Sequence, residues 1–327
     1  MAQYESQLNT PLTRDPNAPT QRFTVNRGEG AAQIGRNLVT AGLIRDAEAF
    51  RVYARYSGLD AKLQAGVYLL SPALTPSQIA ARLTNAGANT IRLLVREGWR
   101  LEEIVDAINR TPDLPFSGSD FLAVVKGNGA PGDFLRSVGA PATVTSLEGF
   151  LYPATYELPL DSTAISLRDK MLASFNQAID STARAGLSAQ GLTLYQAVTL
   201  ASIVEREAVV ADERPVIAGV YLNRLRLPMT LDADPTIQYA LGNTRTAGIW
   251  WPQITLADYR GVSSPYNTYV NIGLPPGPIA NPRRESILAV ISPQASPYLF
   301  FRASCKADGR HVFAKTFQEH LANACSN

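Results

Sequence analysis

With 327 residues, 46% hydrophobic and 18% charged, the chain is long enough for two domains and a sizeable core, and global disorder is excluded. A formal net charge of +2 provides no strong field for nucleic acid, so no nucleic-acid partner is expected. No apolar run approaches the roughly 20 residues a membrane helix needs.

Residues 1–21 are polar and proline-bearing, match neither a signal peptide nor a presequence, and read as a flexible linker. Residues 22–140 then carry three strand–turn–helix units. RFTVNRGEGAAQIGRNLVTAGLI alternates Phe23 and Val25 before a Gly-rich turn and an amphipathic helix. GVYLLSPALTPSQIAARL starts its helix at Thr75-Pro76. TIRLLVREGWRLEEIVDAINR turns at Gly98. A further helix, AEAFRVYARYSG, lies between the first two units and stops at Gly58. The spacing around Gly28 and Gly30 is wrong for a dinucleotide loop. These units predict a small α+β module.

The segment 141–327 is expected to form a larger mixed α+β domain. Leu147–Pro159 reads as strand and loop, with Glu148 either a solvated turn carboxylate or a site residue. DSTAISLRDKMLASFNQAI is an amphipathic scaffold helix. Thr193–Val210 reads as one helix with a Thr193/Gln196 capping box. Leu194, Val198, Ala201 and Ala208 share one face, and Glu205 falls on it, whereas Arg206 and Glu207 point elsewhere. Desolvation of a carboxylate on a buried stripe raises its pKa, as a general acid requires; a structural partner such as a buried Arg is the alternative. Glu213–Met229 is a second helix with Val216, Val220 and Leu225 expected on its buried side. Beyond it, Trp250-Trp251 and the stretch SSPYNTYVNIGLPPGPIANP suit either a sugar site or packing under long loops. Two strands and a helix end the chain, with both histidines, His311 and His320, in this part; structural roles are expected for both. No metal-ligand spacing and no GxSxG nucleophile motif occur, so neither a metal, a cofactor nor a catalytic triad is expected. Cys305 and Cys325 suit one disulfide in an oxidising compartment or two separate thiols, and the sequence leaves both open.

The segments LEGFLYPATYELP, ASIVEREA, ERPVIAGVYLNRLRLPMTLDADPTIQYALG, SPYNTYVNIGLPPGPIANP and PYLFF…GRHVFAKTFQEHLAN occur in this order. Together they closely resemble the MltG (YceG-like) family of endolytic murein transglycosylases, from Phe23 to Asn323. The N-terminal module resembles that family's LysM-like subdomain. The resemblance implies cleavage of peptidoglycan glycan strands at internal positions, outside the cytoplasmic membrane, and termination of nascent strands. It also implies an N-terminal membrane anchor, which residues 1–21 do not contain, and peptidoglycan synthases as partners. It implies as catalytic acid the first Glu of the ASIVEKE-type motif, here Glu205. One carboxyl suffices for that chemistry, because the muramic 6-hydroxyl replaces water as nucleophile, whereas a hydrolase needs two. Glu148, Gln238, Tyr266, Asn267 and Thr268 lie in the matching motifs and are candidates for holding the strand. A wall-binding protein without catalysis and a true hydrolase are the alternatives.

Overall fold

The computed structural model describes residues 5–85 and 90–325. Its contacts divide the chain into two compact units. One comprises the described residues up to Arg92 with Asp113–Pro115 and Tyr156–Thr163; the other comprises Leu93–Pro112, Phe116–Thr155 and the chain from Ala164 onward. The mixed α+β class expected from the sequence is observed.

In the first unit the order is α1 (Glu5–Leu8), β1 (Gln21–Val25), α2 (Ala31–Thr40), α3 (Ala47–Tyr56), β2 (Gly66–Leu70) and α4 (Pro76–Arg82). β1 and β2 are antiparallel, with Phe23 opposite Tyr68. Alternation along both strands turns Phe23, Val25, Tyr68 and Leu70 into a core shared with Ile34, Leu38, Phe50, Ile79 and Leu83. Full burial of such side chains contributes about 1.5–3 kcal/mol each. The Tyr68 hydroxyl donates to the carbonyls of Gln64 and Leu83, so the core leaves its polar end satisfied. Asp46 caps α3, and Thr75 with Gln78 forms a capping box on α4. Residues 5–20 are not a free linker as expected. Leu8 is buried, Arg45 binds the carbonyls of Pro11 and Leu12, and the Thr13 N–H donates to the Pro72 carbonyl.

β3 (Thr90–Leu94) pairs with β4 (Thr155–Pro159), and the division between the units falls within each strand, after Arg92 and before Tyr156. A boundary at residue 140 does not coincide with it. α5 (Leu101–Arg110), the helix of the third sequence unit, belongs to the larger unit with α6 (Gly118–Val125) and α7 (Gly132–Ser137).

The larger unit continues with α8 (Ala164–Ala178), the short α9 (Ser181–Arg184) and α10 (Leu187–Gln190), then α11 (Leu194–Glu207) and α12 (Arg214–Arg226). α13 (Asp234–Leu241), α14 (Asp258–Gly261), α15 (Arg284–Ile291), the β5 (Phe300–Ala303) and β6 (His311–Ala314) hairpin, and α16 (Phe317–Ala322) complete it. α11 begins at the Thr193/Gln196 capping box. It is not amphipathic: every residue from Ala197 to Glu205 is buried, because other helices and loops enclose it. It also stops at Glu207, short of Val210, and Val209 is exposed. α12 buries Ile217, Val220, Tyr221 and Arg224, while Val216 and Leu225 are only half-buried, so its inner face is turned from the expected one. Cys305 and Cys325 form a disulfide with Cα atoms 5.4 Å apart, closing β6 and α16 into one loop. No single helix among the described residues is long and apolar enough to cross a membrane.

Candidate active site

Glu205 is buried as its helical position predicts, but it is fully partnered. Its carboxylate accepts the Arg283 backbone N–H at 3.1 Å, Arg283 Nε at 2.9 Å and Ser286 Oγ at 2.7 Å. Arg283 is the residue just before α15, so this cluster fastens the end of α11 to the start of α15. Glu205 lines neither of the two clefts described below, and the structural alternative weighed for it is the one its contacts support.

Glu207 has the opposite surroundings. It was expected on an exposed face; instead it packs at the C-terminus of α11 and keeps one side open to a cleft of about 540 Å³. The Tyr221 hydroxyl donates to its Oε1 at 3.0 Å, and no protein group is bonded to Oε2 among the described residues. Burial pushes the carboxyl up to about 7; the Tyr221 hydrogen bond opposes this, the Asp234 charge adds to it and Arg206 offsets part. A carboxyl that titrates near neutrality, with one oxygen held and the other facing a cleft, is equipped to deliver a proton.

The rest of this cleft comes from several elements. Asp234 at the start of α13 accepts from the Tyr269 hydroxyl at 2.6 Å, and the Tyr259 and Tyr269 rings lie 4.5 Å apart. Burial, then the hydrogen bond and charge of Asp234, raise the Tyr269 hydroxyl well above its ordinary range. Arg224 binds Asp232 at 2.8 Å and the carbonyls of Leu231 and Leu299, with its guanidinium 5.0 Å from the Phe300 ring centre. The β5–β6 hairpin and α16 supply Phe300, Arg302, His311, Phe317 and His320.

The other sequence candidates are placed as follows. Asn267 and Thr268 are buried and do not reach the cleft. Asn267 holds the Tyr259 and Val262 carbonyls and accepts the Tyr269 N–H; Thr268 accepts the Ala233 N–H and meets Thr236. They are supports for the loop that presents Tyr259, Tyr269 and Asp234. Gln238 donates to the Pro252 carbonyl and lines neither cleft.

Glu148 and Tyr266 belong to a second cleft of about 440 Å³, with Tyr195, Tyr239, Glu102 and Lys126. Both Glu148 oxygens accept the Leu101 N–H at 3.0 Å, so Glu148 caps α5 from a distant segment. Asn281 donates to Glu148 and accepts the N–H groups of Gly149 and Leu151, closing a buried polar cluster. Burial, then Glu102, push Glu148 up to about 8. Gly149 has φ +89°, and a Cβ there would stand 2.5 Å from Pro278, so only glycine suits this turn. The Trp250 and Trp251 indoles donate to Asp106 and Glu103 at 2.8 Å, and Arg206 lies 3.9 Å over Trp251. Packing on α5 therefore accounts for the tryptophan pair. No group of three or more metal-ligating side chains is assembled among the described residues.

Comparison with known proteins adds a separate line. Residues 23–326 match the model of the YceG-like family. The chain is 31% identical to the endolytic murein transglycosylase of Bacillus subtilis (strain 168), over 97% of this chain and 87% of that protein. It is 29% identical to the protein of the same name from Streptococcus pneumoniae serotype 2, over 99% of this chain but only 61% of the relative's length. A crystal structure of a yceG-like protein from Listeria monocytogenes superposes with a TM-score of 0.61 at 31% identity, covering 93% of this chain and 98% of that one.

Proposed function

We infer the function from one premise: the chain belongs to the YceG-like family. It is a peptidoglycan lytic transglycosylase, the activity in the names of its Bacillus and Streptococcus relatives. The observation that carries the mechanism is Glu207, a carboxyl held near 7 with one oxygen open to a cleft. Glu207 replaces Glu205 as the proposed acid. It protonates the glycosidic oxygen between the muramic and glucosamine residues as the muramic C1–O bond breaks. The muramic 6-hydroxyl attacks C1, gives its proton to a base in the cleft and closes a 1,6-anhydro ring. The attack is intramolecular and gains from proximity. Asp234, with Tyr269 bonded to it, adds negative charge to the cleft that favours an oxocarbenium-like centre.

Mass spectrometry of digested peptidoglycan tests this reading. Anhydro ends are expected; reducing ends would mean hydrolysis, and no products would mean a binding protein. Fragments of mixed length are expected for endolytic cleavage, and disaccharides alone would refute that part.

Further properties belong to the same proposal. The first unit, a β1–β2 pair packed with helices, acts as a LysM-like glycan-binding element, a role its family resemblance supports. Work outside the cytoplasmic membrane, tethered to it, alongside peptidoglycan synthases and ending nascent strands, follows from the same resemblance. The Cys305–Cys325 disulfide suits the oxidising compartment this requires. Fractionation of cells expressing a tagged natural protein tests the location.

A further inference from the structure

His311 lines the same cleft as Glu207 but takes no part in the scheme above. It sits at the start of β6, and its ring is held from behind. Glu213, a buried carboxylate just before α12, meets His311 Nδ1 at 2.8 Å through Oε2 and the His311 backbone N–H at 2.9 Å through Oε1. The double contact fixes both the residue and its ring. Arg310 stands 3.9 Å from the same carboxylate and pairs with Asp212, so the acid is anchored in turn. The Phe301 ring packs edge-on at 5.2 Å. With Nδ1–H given to Glu213, a neutral ring carries its lone pair on Nε2. No protein group is bonded to Nε2 among the described residues, and Nε2 is not among the buried unpartnered atoms. A carboxylate-oriented imidazole with a free nitrogen, in a cleft that holds an acid, is the geometry of a general base.

We propose that His311 is a second catalytic residue, the base that receives the muramic 6-hydroxyl proton while Glu207 protonates the leaving oxygen. The inference rests on the transglycosylase reading and deepens it. The step balances. The C1–O bond to the leaving sugar breaks and its electron pair takes the Glu207 proton. The O6–H bond breaks, its proton passes to His311 Nε2, and the new C1–O6 bond closes the anhydro ring. One proton then returns from His311 to Glu207 through solvent. Dividing the two transfers between two groups lets them proceed together, rather than asking one carboxyl to serve both oxygens in turn. Glu213 is a positioning residue, acting only through His311.

The test uses the full-length protein on peptidoglycan, with anhydro ends as the readout. His311→Asn keeps a donor toward Glu213 but cannot take up a proton. It should stay folded by circular dichroism and lower kcat by about 10²-fold with KM little changed. His311→Ala should lose a similar factor and regain part of it with added imidazole. Glu213→Gln should lower kcat less than His311→Asn. A His311→Asn enzyme with wild-type kcat, or a folded His311→Ala enzyme whose rate imidazole leaves unchanged, overturns the proposal. A wild-type digest with reducing ends in place of anhydro ends refutes the functional reading instead, so the two failures are distinguishable.

Discussion

Replacing Glu207 by Gln keeps the side chain's size and the acceptor for the Tyr221 hydroxyl, and removes the proton. Two consequences of opposite kind follow. Activity should fall by about 10²–10⁴-fold, the usual share of general acid–base catalysis. Stability should change in a pH-dependent way. Holding the carboxyl at about 7 rather than the ordinary 4.5 makes its charged form about 3 kcal/mol less favourable in the folded protein than in the unfolded chain. Below about pH 4.5 Glu207 is protonated in both states and no penalty exists. As pH rises from 4.5 to 7, the unfolded chain releases the proton while the folded protein keeps it, and folding stability declines. Above 7 the whole penalty is present. Gln has no such term, so the variant should match the wild type near pH 4 and exceed it by up to about 3 kcal/mol at pH 8. Urea unfolding of both proteins at several pH values, beside a peptidoglycan assay, measures this. Retained turnover would dismiss Glu207 as the acid. A stability gap that does not grow with pH would show that its burial is not the source of the shift.

Glu205→Ala should act differently. It strands Arg283 and Ser286 and should cost about 2–3 kcal/mol by denaturant unfolding, with the folded fraction keeping most turnover at low temperature. A catalytic loss without a stability loss would restore Glu205 to the chemistry. Glu148→Ala should unseat the α5 cap and cost about 1–3 kcal/mol, while Glu148→Gln, which still accepts the Leu101 N–H, should cost less; equal losses would argue against the capping role. Reduction of Cys305–Cys325, which are 20 residues apart, should remove about 3 kcal/mol and lower the thermal midpoint, and it should slow turnover because that loop carries a wall of the cleft. An unchanged midpoint in dithiothreitol would count against this.

Local signals were the legible ones. The helix start at Thr75-Pro76, the capping box at Thr193/Gln196, the alternation through Phe23 and Val25, and the two terminal strands all depend on neighbours in sequence, and all appear where expected. Glu207 escaped because its burial is not local: Tyr221 comes from α12 and Asp234 from α13. Periodicity marks which side of a helix is apolar, and α11, enclosed on all sides, has no such side. Nor could the helix phase show that Arg283 and Ser286 wait beside Glu205. Asn267, Thr268 and Glu148 sit in long motifs, yet their contacts are to backbone and to other buried side chains, a role that motif length cannot separate from substrate contact. His311 was read as structural; only the fold shows that the nitrogen opposite its Glu213 contact is left without a protein partner.

The unbroken burial of Ala197–Glu205 has a consequence for how this sequence can vary. Each side chain there meets packed neighbours, so larger residues must displace something and smaller ones leave a void, at about 1–5 kcal/mol either way. Random substitution across α11 should therefore yield a nearly empty window of survivors from Ala197 to Val204. Tolerance should return abruptly at the exposed Val209. A selection for folding alone should still accept Gln at position 207, whereas a selection for wall cleavage should not. The difference between those two maps would separate, residue by residue, what this helix contributes to the fold from what it contributes to the reaction.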